Sequence, residues 1–189
     1  MEEKDLFLNS HRIALVIPCV LFPYAILLFL YLLMIDQTII ETVFMNDALL
    51  PLGILILFLS VAFFLSVLTA IAALVNHWDA AYCAKMVFFV KLLQIPAYIL
   101  IFILGVLFFI TIFTFAFSIA FVIFDVVLII MTGLMGTSAA VRAYKEDMCT
   151  FGQMVLLSIA QYIFCVDVFA SLYLYLKTRK AQQGKEVLN

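Results

Sequence analysis

The chain alternates between long apolar runs and short polar connectors, and the run lengths set the first expectations. Between Arg12 and Asp36 lie 23 uncharged residues, IALVIPCVLFPYAILLFLYLLMI. A helix needs about 20 apolar residues to cross the hydrocarbon core of a bilayer, so this run predicts a first span over 13–35. Pro18 and Pro23 lie inside it and are expected to bend it. Membrane helices tolerate proline where neighbouring groups satisfy the carbonyls it frees. An acidic connector, DQTIIETVFMND, follows without Lys or Arg, and a second span is expected over 48–75. Next comes NHWDAAYCAKMVFFVK, with the single tryptophan, Trp78, at the boundary where amphipathic rings prefer to sit. Residues 79–91 read as the start of the third helix, lying partly among headgroups, with Lys85 and Lys91 snorkelling towards them.

From Lys91 to Arg142 there is one charged side chain, Asp125, in 50 intervening residues. One helix of that length would measure about 75 Å, against a hydrocarbon core of about 30 Å. The stretch must therefore cross twice. The turn is placed in ITIFTFAFS, 110–118, which has two Thr, a Ser and β-branched residues but no Gly or Pro. Spans three and four are then about 92–112 and 116–140. After the connector RAYKEDMCT, a fifth span is expected over 151–176, followed by the polar tail KTRKAQQGKEVLN. The fold class expected is an all-α polytopic bundle, one membrane domain over 1–189 with five transmembrane helices. The alternative is four plus one re-entrant or interfacial segment.

Composition agrees with a membrane setting: 68% of residues are hydrophobic and 12% charged, where soluble domains carry about 25% charge. No basic field exists for nucleic acid. No small-residue cleavage site follows the first apolar run, which reads as a retained helix. Cys19, Cys83, Cys149 and Cys165 form no CxxC, and two distant histidines, His11 and His77, make a weak zinc case. Connectors are too short for a soluble catalytic domain, and no cofactor is expected. Cytoplasmic loops carry excess Lys and Arg. The amino terminus and connectors two and four hold two each, and connectors one and three none, which places the amino terminus inside. With five crossings, however, the tail's Lys177, Arg179, Lys180 and Lys185 fall outside, against that rule.

Asp125 and Asp167 are the charges inside the last two spans. Each lies 21 residues from Glu146, near the centre of the connector. In an antiparallel hairpin equal distance from the turn means equal depth, so the two acids are expected to face each other. Ser118, Asp125, Thr132, Gly136 and Ala140 share one helical stripe, as do Gln153, Ala160, Asp167 and Ser171. Thr132, Gly136 and Ala140 also form a small-xxx-small ladder for close helix packing. One Asp at a helix centre costs about 2.5–3.5 kcal/mol, so both should face inward. Three roles stay open: protonated acids as hydrogen-bonded glue with Gln94, Tyr98, Gln161 or Tyr162 as partners, a shared proton or cation site, or pairing with a basic residue of another subunit. An intramembrane aspartyl protease would carry GxGD around the second acid, where CVDVF stands instead. Asn76, His77, Trp78 and Asp79 read as a polar helix cap.

The segments NHWDAAYCAK, KLLQIPAYILIFILG and TGLMGTSAAVRAY together resemble a group of small, uncharacterised membrane proteins of Gram-positive bacteria. The likeness covers most of the chain, brings no catalytic residues with it, and implies a bacterial plasma membrane. The function class expected is a non-enzymatic accessory or assembly subunit, with a small oligomeric cation- or proton-linked transport protein as the alternative. The expected partners are the lipid bilayer and a second copy or another membrane subunit.

Overall fold

The structure, a computed structural model, describes residues 2–34, 37–45, 47, 49–110 and 115–188. Among them all regular structure is helical: α1 (Glu2–Met34), α2 (Gln37–Thr42), α3 (Leu49–Val75), α4 (Ala80–Ile110), α5 (Phe115–Lys145), α6 (Phe151–Ala160) and α7 (Val166–Leu188). The Arg12–Met34 part of α1, together with α3, α4 and α5, supplies four helices long and apolar enough to cross a membrane. The chain is thus an all-α polytopic membrane protein. Lys91–Arg142 is divided between two helices, as its length required. Residues 111–114 of the expected turn lie outside the described residues.

One boundary agrees with expectation and one differs. The third helix starts at Ala80, so Lys91 lies twelve residues inside it. Asp79 fixes that start, its Oδ2 accepting the Tyr82 amide at 2.9 Å, which is how a side chain caps a helix. The difference lies in the last segment. Instead of one helix over 151–176, α6 stops after ten residues, 161–165 form a turn, and α7 begins at Val166. Tyr162, Ile163, Phe164, Cys165 and Val166 are consecutive weak helix formers, and Cys165 takes a left-handed conformation with φ 64°. The two arms run antiparallel, since Lys177 on α7 donates to Gln153 on α6. α6 has ten residues and the apolar part of α7, 166–176, has eleven. Neither reaches a crossing length, which fits the alternative of four crossings and a re-entrant segment.

The chain forms two compact units, residues 1–65 with 94–122, and residues 66–93 with 123–189. In the first, proline sets a backbone demand. Pro23 lacks the N–H that would bond the Cys19 carbonyl four residues earlier. Gln94 Nε2 donates to that carbonyl at 2.8 Å from a fully buried position. Gln94 is therefore engaged with a freed carbonyl, not with an acid. Phe22 on Phe58 and Phe108 on Phe121, with ring centroids 6.1 and 5.8 Å apart, fill the same unit.

In the second unit, one end is closed by a polar clamp. Met148 N–H bonds the Ala143 carbonyl and Asp147 N–H the Tyr144 carbonyl, a Schellman termination of α5 with Asp147 left-handed at φ 59°. Arg142 then donates from Nε to the Trp78 carbonyl and from Nη2 to Glu146, both at 2.6 Å, and its Nη1 lies 3.3 Å from His77 Nδ1. Glu146 also accepts the Ala80 amide at 3.0 Å. Thr150 and Gln153 make a reciprocal capping box at the start of α6. The expected cap at 76–79 is present, tied by Arg142 to the end of α5.

Gln94→Leu should destabilise the protein by about 1–3 kcal/mol, because a buried carbonyl loses its donor. In a Pro23→Ala background, where the helix supplies its own donor, the same substitution should cost much less. Thermal unfolding of the four proteins in one detergent measures the difference as a double-mutant cycle.

Candidate functional site

The charged centre of the second unit lies at the turn between α6 and α7. Lys91 Nζ donates to Asp167 Oδ2 at 2.8 Å and to Gln161 Oε1 at 2.6 Å. The Lys91 side chain is 1% exposed and that of Asp167 10%. An isolated ammonium so deep would be prohibitive, and the pair with its extra hydrogen bond lowers the penalty. Three elements converge to make it. Lys91 projects from the twelfth position of α4, Gln161 caps the end of α6, and Asp167 stands in the first turn of α7. A carboxylate there also meets the positive end of the helix dipole.

Close approach of α5 makes the convergence possible. A Cβ at Gly136 would fall inside the Gln161 side chain, and one at Gly133 would lie 2.6 Å from the Tyr162 ring. Thr132 and Ala140, the other members of the ladder, are buried beside it. Thr132 Oγ1 bonds back to the Leu128 carbonyl at 3.1 Å, so this hydroxyl serves its own helix. Tyr162 is engaged by Thr137 Oγ1 at 3.4 Å. Gln161 Nε2 is buried without an acceptor.

This geometry corrects two expectations. Lys91 does not snorkel: it starts twelve residues inside α4 and is neutralised where it stands. Nor does Asp167 face Asp125. Equal depth assumed one straight helix from the connector to Asp167, whereas the chain turns back at 161–165. Asp167 is consequently level with Gln161 and Gly136. Asp125 lies eleven residues further along α5, about 16 Å at helical rise. No hydrogen bond or ion pair joins the two acids among the described residues, and Asp125 Oδ1 is buried with no partner. The shared proton or cation site thus loses its second carboxylate to Lys91.

Arg142 and Lys91 are the important side chains that sequence reasoning missed. Arg142 and Glu146 are spaced for an i,i+4 pair. The helix start read at Asp79 already carries Lys91 about 17 Å along the axis, which is too deep for headgroups and calls for a counter-charge at its own level. A scan against family models found no match, and searches of curated proteins and of solved structures returned none either.

Lys91→Met or Asp167→Asn alone should cost about 3–5 kcal/mol, because each strands a buried polar partner. The double replacement Lys91→Met with Asp167→Leu should recover most of that loss. Denaturation midpoints of the four proteins give the coupling. Gly136→Ala should cost about 1–3 kcal/mol by displacing Gln161, whereas Gly53→Ala, with nothing within 4 Å of the added carbon, should be near neutral.

Proposed function

We propose that this chain is a non-enzymatic membrane subunit that assembles with another membrane protein through α5. The observation that carries the reading is Asp125, a half-buried acid in a membrane-spanning helix that makes no hydrogen bond or ion pair among the described residues. The other charges at membrane depth among the described residues, Lys91 and Asp167, neutralise each other. Leaving an acid alone in a span costs about 2.5–3.5 kcal/mol, a penalty that a donor on a neighbouring helix offsets.

The chain's own cations do not match the position. Asp125 is ten residues from the start of α5 and twenty from its end at Lys145, about 15 and 30 Å. Lys85 lies six residues into α4, at the Arg142 end. Among the described residues of α4, α5 and α7, a second copy in the same orientation therefore brings no free cation to the depth of Asp125. The complementary partner is a different membrane helix with Lys or Arg at that level. Val122, Ile123 and Val126 beside Asp125 are exposed and apolar, as a helix-packing face in lipid needs to be.

The turn at 161–165 supports the same reading. Tyr162, Ile163 and Phe164 are 40–49% exposed and present a cluster of apolar side chains outside the hairpin. A neighbouring protein would cover them. The resemblance to small membrane proteins of Gram-positive bacteria would make the setting a bacterial plasma membrane.

A photo-crosslinking residue at Val122 or Val126 should capture one membrane protein that carries Lys or Arg within a span. Asp125→Leu should reduce that product at least tenfold, and exchanging the charges between Asp125 and the partner's cation should restore it. Crosslinks to lipid alone, or a product indifferent to Asp125→Leu, would refute the assembly.

A further inference from the structure

The clamped end of the second unit gathers basic side chains into one band. Lys85 on α4, Lys145 at the end of α5, and Arg179 and Lys180 on α7 are all exposed. Three contacts hold them at one level. Arg142 ties the end of α5 to the Trp78 carbonyl, Glu146 accepts the first amide of α4, and Gln182 donates to Asp79 Oδ2 at 2.9 Å. Lys177 completes the band from a fixed position, donating to Gln153 with its ammonium 5.9 Å from the Tyr173 ring centroid. The acids at this end are Asp79, which caps α4 and accepts from Gln182, Glu146, paired with Arg142, the exposed Asp147, and Glu186 near the end of α7.

The band borders a belt of exposed aromatic side chains. Tyr144, Phe151 and Tyr173 are 41, 62 and 50% exposed, and Tyr144 packs edge-on against Phe151. Aromatic rings of this kind mark the boundary between hydrocarbon and headgroups. Cations directly beside such a belt stand at phosphate level, which favours a lipid surface over a soluble partner.

The returning hairpin also removes the charge conflict of a five-crossing chain. α6 and α7 start and finish at the clamped end, so the tail's Lys177, Arg179, Lys180 and Lys185 belong to the side of Lys145 and Lys85. α3 separates that side from the connector before it, which holds Asp36, Glu41 and Asp47 and no base. We infer that the clamped end faces the cytoplasm and that Lys85, Lys145, Arg179 and Lys180 form a surface that binds anionic phospholipid headgroups. This surface is separate from the Asp125 face and stands whether or not that face has a partner.

Two measurements test it. On a cysteine-free background, Gln183→Cys should react with a membrane-impermeant maleimide only after cells are opened, and Glu41→Cys should react on intact cells. The reverse pattern would overturn the orientation. In nanodiscs, phosphatidylglycerol should raise the Tm by several degrees over phosphatidylcholine, and high salt should shrink the gain. The combined Lys85→Gln, Lys145→Gln, Arg179→Gln and Lys180→Gln protein should keep its Tm in phosphatidylcholine and lose that gain. Equal Tm in both lipids, or a gain that survives the four substitutions, would overturn the headgroup surface.

Discussion

A lysine ammonium buried at membrane depth is the constraint on which the second unit depends. Lys91 is 1% exposed, and a charge there needs a counter-charge at its own level. Asp167 can reach that level only if the chain turns back after α6. The turn brings Gln161 against α5, and only a residue without a side chain leaves room for it, which is what Gly136 provides. Gly133 does the same for Tyr162. One electrostatic demand thus runs through a helix break into a steric one. An all-apolar replacement could pack as well or better. The ion pair adds a register, because a single cation selects which part of the hairpin meets α4.

The first unit meets a backbone demand instead of a charge. Pro23 leaves a carbonyl of α1 without its helical donor, and Gln94 from α4 supplies one. Ser118 Oγ likewise donates to the Gly105 carbonyl at 2.7 Å. These are single hydrogen bonds between apolar surfaces that otherwise carry little specificity. In lipid, where tails compete equally for apolar contact, such bonds decide which helix faces meet.

Apolar run length made the four long helices legible, because 20 or more apolar residues have few other uses. The small-residue ladder through Gly136 was also legible as a close contact, though not what it contacts. The helix break at 161–165 was hidden, because the sequence there has no Gly or Pro and its hydrophobicity is continuous. A run of Tyr, Ile, Phe, Cys and Val weakens a helix only slightly, and it is the pull of Lys91 on both Gln161 and Asp167 that tertiary structure adds. Asp167 was therefore assigned the wrong partner by a depth argument that was sound for a straight helix. Asp125 stands out in the sequence as the single charge between Lys91 and Arg142.

The turned-back hairpin also imposes an order on biosynthesis. Gln161 and Asp167 are made 70 and 76 residues after Lys91, so these two contacts close only after α4 is already made. Each arm of the hairpin is too short to be released into lipid as a span of its own. It must enter by docking on helices already inserted, and that docking neutralises Lys91. A chain that stops before α7 lacks the carboxylate that Lys91 meets in the finished molecule, so the last helix made completes the buried charge pair of the second unit.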